Sequence, residues 1–121
     1  MTKEELKQRT KKFAIDSAHL ILLLPYHVIN KNYSDQLCPA SSSVGANYRA
    51  ALRAKSTADF INKLKIVEEE LDESLFFFEL LLEFNPLFKD KIDAIYKEGN
   101  EILSIIVASL NTLHKQVQNK S

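Results

Sequence analysis

Between Phe60 and Leu81 the chain places Phe60, Leu64, Val67, Leu71, Ser74, Phe78 and Leu81 at alternating steps of four and three residues. A repeat averaging 3.5 residues over that length specifies a helix with one buried seam, packed at a shallow angle on other helices. A second seam follows at similar spacing: Phe88, Ile92, Ile95, Gly99, Ile102, Ile106, Leu110, Leu113 and Val117. Near the N-terminus Leu6, Phe13, Ser17, Leu20 and Leu24 mark a third. Only two glycines and three prolines interrupt 121 residues, so turns are few and helices long. The chain is therefore read as all-α, a single domain over 1–121 folded as an antiparallel up-down-up-down four-helix bundle. Its helices are expected at about 3–24, 35–54, 57–84 and 87–117.

Local signals set those bounds. Pro25 ends or kinks the first helix. The segment from Tyr26 to Ser34 shows no strong period and reads as the one long connection, with Ser34 or Asp35 capping the second helix. Pro39 would lose a backbone bond beyond the first turn, so a kink or a later start is expected there. Ser56-Thr57-Ala58-Asp59 supplies a capping hydroxyl with a carboxylate three positions on. Asn85-Pro86 stops the third helix, and polar Gln118 to Ser121 is expected to fray.

Net charge is zero, yet residues 1–60 carry nine Lys/Arg against five Asp/Glu, a balance of +4. Residues 61–121 carry seven against eleven, a balance of −4. The halves are expected to pair within a subunit or between subunits, and bulk charge gives little drive toward nucleic acid. A single cysteine, Cys38, rules out an internal disulfide and suits a reducing cytoplasm. No apolar run follows Met1 until Leu20, so no secretory leader is read. The run from Leu20 to Pro25 is too short to span a membrane.

One stretch exceeds what a single bundle core can cover. From Phe76 to Phe84 seven of nine residues are apolar, nearly all round the helix. A second apolar surface, contributed by another copy or another protein and meeting Phe76, Phe77, Leu80 and Phe84, would resolve that exposure. Alternatively the third helix is central and the connecting segment covers its far side. Ser42, Ala46, Ala50 and Ala54 form a ridge without bulk on the second helix, read as the close-packing face set against the phenylalanines. Gly45 costs about 1 kcal/mol in helix propensity relative to Ala, which suggests a close contact or bend. A neutral surface position is the other reading.

Antiparallel register about Ser56 sets Glu70 near Ser42 and Glu73 near Pro39. A polar layer inside the bundle, joining Ser42, Ser43, Asn47, Glu70 and Glu73, is one expectation, because buried carboxylates need donors. A solvated acidic face over Glu68 to Glu73 is the other. A small-molecule or metal-dependent enzyme using that layer is the alternative function. A di-iron bundle would need repeated Glu-x-x-His, whereas the nearest sequence is a single Asp16-Ser17-Ala18-His19. His27 and His114 have no spaced partners, and Cys38 has no acid-base companion nearby in sequence. No catalytic, cofactor-binding or metal-ligating residue is therefore assigned. Lys11, Lys12, Arg49 and Arg53 are the candidate contacts to RNA or DNA, since a ring of copies would multiply a modest patch. Ordinary solubilising charge paired with third-helix acids is the competing account.

Gln36-Leu37, Ser41-Ser42-Ser43-Val44-Gly45-Ala46-Asn47-Tyr48-Arg49, Asp59-Phe60-Ile61, Glu70-x-x-Glu73-Ser74 and Phe76-Phe77-Phe78-Glu79-Leu80-Leu81 occur in that order. In this order they resemble the four-helix bundle proteins encoded by 23S rRNA intervening sequences. The resemblance implies a small bacterial cytoplasmic protein that assembles into a ring, typically a pentamer, with no established enzymatic activity. The family is similar in turn to the accessory variability protein of diversity-generating retroelements, a basic pentamer that binds nucleic acid and a reverse transcriptase. Pro39 stands where the family usually places Arg, and Ala50 where it often has Glu. The neutral overall charge also departs from the basic relatives. The resulting expectation is a non-enzymatic homo-oligomer that acts as an assembly or interaction module.

Overall fold

A computed structural model describes residues 1–120. Four helices form the chain: α1 over Lys3–Leu23, α2 over Val28–Ala51, α3 over Thr57–Phe84 and α4 over Lys89–Lys120, the last entered through a 3-10 turn at Pro86–Phe88. Neighbours pack in sequence order, and α4 closes the ring on α1. Diagonal helices meet through long side chains, as where Phe13 meets the edge of Phe78 with ring centroids 6.1 Å apart. All four seams turn inward, with Phe13, Leu37, Val44, Leu64, Leu71, Phe78, Ile92 and Ile102 fully buried. The connections at 24–27 and around 85–88 lie at one end of the bundle, and the turn at 52–56 lies at the other.

Polar residues on the seams satisfy themselves. Ser17 donates to the Phe13 carbonyl at 2.7 Å, Ser74 to Glu70 at 2.7 Å and Thr10 to Lys7 at 3.0 Å, so each hydroxyl is buried without an orphaned bond. Among the described residues no buried side-chain nitrogen or oxygen lacks a partner.

The start of α2 differs from expectation. The helix begins at Val28, seven residues before Asp35, with His27 Nδ1 accepting from the Asn30 amide at 3.3 Å. The inward face of α2 runs Asn30, Ser34, Leu37, Ser41, Val44 and Tyr48. Its first two members are polar, which hides the period from a reading based on hydrophobic spacing. Asn30 is held by a reciprocal amide pair with Asn85, at 2.9 and 2.7 Å, while each also donates to a backbone carbonyl, Pro25 and Leu81 respectively. That pair fastens the first turn of α2 to the C-cap of α3.

Pro39 lies inside α2 on its solvent face, so the helix passes through it and the carbonyl it leaves unbonded faces water. Ser56 caps α3 as expected, accepting from the Asp59 amide at 3.1 Å. Gln118 to Lys120 continue α4 rather than fraying, and Ser121 lies outside the described residues. Val117 is half exposed, because α4 overruns the helices that would cover it.

Gly45 and Gly99 are both buried in helix interfaces, but the contact at Gly45 is with α1, not with the phenylalanines of α3. A Cβ there would stand 3.4 Å from the Thr10 carbonyl carbon and oxygen, an ordinary contact. At Gly99 it would stand 2.7 Å from the Phe13 ring and 3.1 Å from Leu75. The absent side chain at Gly99 is what lets α4 seat on α1 and α3.

Candidate functional site

The face formed by α2 and α3 leaves aromatic surface uncovered. On α3 the seam consumes Phe78 and Leu81, and the remaining large residues of the run rotate outward. Phe76 is 53% exposed and Phe84 50%, while Phe77 and Leu80 are half-buried. Tyr33 of α2 leans on this row, 6.2 Å from Phe77 and 6.0 Å from Phe84 between ring centroids, and Phe76 meets Phe77 edge to face at 5.4 Å. The segment expected to be a covering loop is thus helical and contributes one ring, which leaves the outer rings open to solvent. Leu22, Leu23, Tyr26, Val28 and Leu87 extend apolar surface over the adjoining end of the bundle, where both connections lie. Leu22 and Leu23 fall within the Leu20 to Pro25 run but off the α1 seam, and Tyr26, Val28 and Leu87 sit at or beside the connections, so none of the five carries a periodic signal.

The polar layer does not form inside the bundle. The inward positions of α2 are filled by Leu37, Ser41, Val44 and Tyr48, and their neighbours point away from the axis. Ser42 and Glu73 are exposed; Ser43, Asn47 and Glu70 are half-buried on the outer α2–α3 face. Asn47 donates to the Ser43 carbonyl at 2.9 Å and to its hydroxyl at 3.0 Å. Partial burial raises the Glu70 carboxyl above the usual carboxylate range, reinforced by the like charges of Glu73 and Glu69. The register set by Asn30 and Asn85 puts Ser43 and Asn47 at about the height of Glu70, as a lateral strip above the aromatic row, and among the described residues no hydrogen bond joins Glu70 to either. The small ridge also faces outward: Ser42 and Ala46 are exposed and Ala50 is half-buried.

The four basic residues are not gathered into one patch. Lys12 pairs with Asp16 at 2.5 Å and lines a groove with Ala94, Ile95 and Glu98 on the α1–α4 side. Lys11, Arg49 and Arg53 are exposed, with Lys11 at the α1–α2 seam, level with Gly45. Arg53 instead shares an open groove of about 620 Å³ with Lys55, Lys63 and Asp59 at the turn between α2 and α3. Lys55 follows Arg53 by two residues in the sequence, whereas Lys63 joins them only through the antiparallel turn.

Among the described residues no three His, Cys, Asp or Glu side chains converge as a metal-binding group, and no helix is long and apolar enough to cross a membrane. Cys38 is a free, exposed thiol.

Comparison with known proteins bears on this geometry. The profile described as 23S rRNA-intervening sequence protein matches residues 2–108. A crystal structure of a protein of unknown function from the S23 ribosomal protein family of Bacteroides thetaiotaomicron superposes with a TM-score of 0.76 at 29% identity, covering 87% of this chain and 97% of that one. No curated protein matches the chain. The long match and the shared four-helix architecture agree, and the chain belongs to the 23S rRNA-intervening sequence protein family.

Proposed function

We propose that the protein is a non-enzymatic, homo-oligomeric interaction module of the bacterial cytoplasm, and that the α2–α3 face is its subunit interface. The observation that carries this reading is the uncovered row of Phe76 and Phe84 beside Tyr33, Phe77 and Leu80. Rings stripped of water on one side are a large driving force for association, since a buried aromatic anchor can dominate an interface.

A closed ring suits the distribution of apolar surface. A ring needs two unlike patches that meet head to tail, whereas a twofold dimer needs only one. Ile15 and Leu22 lie seven residues apart on one face of α1, 45% and 81% exposed, diagonally across the bundle from α3. The aromatic row of one copy against the Ile15 and Leu22 stripe of the next generates such a ring. A pentamer is the number the family resemblance implies. The lateral strip of Ser43, Asn47 and Glu70 would then border the contact, with the small Ser42 and Ala46 surface permitting close approach.

Light scattering coupled to size exclusion tests this. The wild type should elute as a discrete oligomer, and Phe76→Glu with Phe84→Glu as a monomer, with association weakened by about 100-fold or more. A wild-type monomer at micromolar concentration overturns the reading.

Contact with nucleic acid is the second reading, supported by Arg53, Lys55 and Lys63 around one groove, with Arg49 one turn away. Each ring would present several copies of that cluster. Binding to structured RNA should fall steeply with salt and be lost in Arg53→Glu with Lys63→Glu. No affinity at low salt removes this branch and leaves the assembly reading intact.

A further inference from the structure

At the end of the bundle opposite the aromatic patch, α4 runs on past the starts of α1 and α3. The space beneath it is a pocket of about 600 Å³, within the range that holds small ligands. Leu6, Phe60, Leu64 and Ile106 give it apolar walls. Two features separate it from a plain packing defect. Tyr48 is only 4% exposed, yet its hydroxyl hydrogen-bonds to no other described residue. Since among the described residues no fully buried polar side-chain atom is unpartnered, that hydroxyl reaches an opening, and Tyr48 lines this pocket. The hydroxyls of Ser109 and Thr112 on the same wall are already given to the Ile105 and Ala108 carbonyls. Thr2, exposed at the rim, accepts from the Glu5 amide, so Tyr48 is the buried hydroxyl left with a bond to make.

The second feature is charge. Among the described residues Lys3 is the one charged side chain lining the pocket, beside the Met1 amino terminus, its ammonium 5.9 Å from the centre of the Phe60 ring, and no described carboxylate lines it. A wall of hydrocarbon with a phenol donor and an unopposed ammonium selects a molecule with an apolar body and an acidic head. Four of the fourteen lining residues, Ser109, Thr112, Leu113 and Gln116, lie beyond residue 108, where the family match ends.

We propose that this pocket is a binding site for an apolar monocarboxylate, whose head accepts a hydrogen bond from Tyr48 and pairs with the Lys3 ammonium. Burial raises the Tyr48 phenol above its ordinary range, which keeps it a proton donor throughout the neutral range. The site shares no residue with the α2–α3 face, so it stands or falls separately from the oligomer.

Calorimetric titration of the full chain with decanoate and with decan-1-ol, below their aggregation limits, tests the proposal. Decanoate should bind saturably at one per chain and more tightly than the alcohol. Lys3→Gln should erase that preference, Tyr48→Phe should weaken decanoate by about three- to tenfold, and Ala108→Trp should abolish binding by filling the pocket from an exposed helix position. Circular dichroism melts confirm that each variant is folded. Absence of saturable binding, indifference to the head group, or decanoate binding that survives Ala108→Trp overturns the proposal. Binding seen only in the Phe76→Glu, Phe84→Glu chain also overturns it, since a second copy would then be the natural occupant.

Discussion

The two long sides of the bundle solve the same problem differently. On the α1–α4 side, Arg9 forks onto Glu98 with contacts of 2.9 and 2.5 Å and reaches Glu101 at 3.1 Å. The basic first half and acidic second half of the chain meet there within one subunit. The Glu98 hydrogen bond raises the Arg9 guanidinium further above its ordinary range, although burial pulls the other way. On the α2–α3 side Glu70 stands among like charges, and rings beside Tyr33 remain open. The α1–α4 seam is closed by ion pairs within the monomer; the α2–α3 side leaves aromatic rings uncovered. The contrast teaches that charge asymmetry along the chain is a poor guide to assembly here, because α1 and α4 neutralise part of it internally. Uncovered aromatic area is what the proposed interface rests on.

The largest effect that would sharpen this contrast lies at the closed side. Gly99→Ala drives a methyl group to within 2.7 Å of the buried Phe13 ring, and should destabilise the fold by about 1–3 kcal/mol in denaturant unfolding. Gly45→Ala meets only ordinary contacts with α1 and gains helix propensity, so its effect should be close to neutral or favourable, up to about 1 kcal/mol. Equal costs at the two glycines would break the claim that α4 is the tightly seated helix. A smaller loss is expected for Arg9→Ala, about 1 kcal/mol, because Glu98 and Glu101 keep much of their hydration. That variant should leave the oligomeric state by light scattering unchanged. Dissociation by Arg9→Ala would place the interface on the wrong side of the molecule.

These differences also mark what the sequence carried and where it stopped. Strict apolar spacing located α1, α3 and α4 and most of their buried positions, since burial and period coincide at Leu64, Val67, Leu71 and Ile102. It failed at the start of α2, where Asn30 and Ser34 occupy the inward face and Asn30 finds its partner 55 residues away. A cross-chain amide pair leaves no local trace. The aromatic surplus at Phe76 to Phe84 was legible, because seven apolar residues in nine cannot share one stripe. The direction of the small ridge was not: placing Ser42 and Ala46 against α3 needs the phase of α2, and that phase was obscured by the same polar positions. The pocket at Tyr48 was hidden for a different reason, because it arises from the unequal lengths of α4 and its neighbours.

The smallest effect belongs to Glu70, and it tests whether the open side is frustrated as drawn. Burial and the charges of Glu73 and Glu69 raise its folded carboxyl above the unfolded value. Protonation therefore favours the folded chain: the associated stability is fully present below about pH 4, near the ordinary glutamate value, and is lost as pH rises through the raised folded value. Glu70→Gln removes the ionisation. It should match the wild type in acid and exceed it at neutral pH by no more than about 1 kcal/mol, the site being only half-buried. Denaturant midpoints measured across that range give the comparison. If assembly covers the strip of Ser43, Asn47 and Glu70, association of the wild type should tighten in the same direction as pH falls, and Glu70→Gln should flatten that dependence. A Glu70→Gln chain that is less stable at neutral pH would mean the carboxylate has a stabilising partner, and the α2–α3 side would then be no less complete than the other.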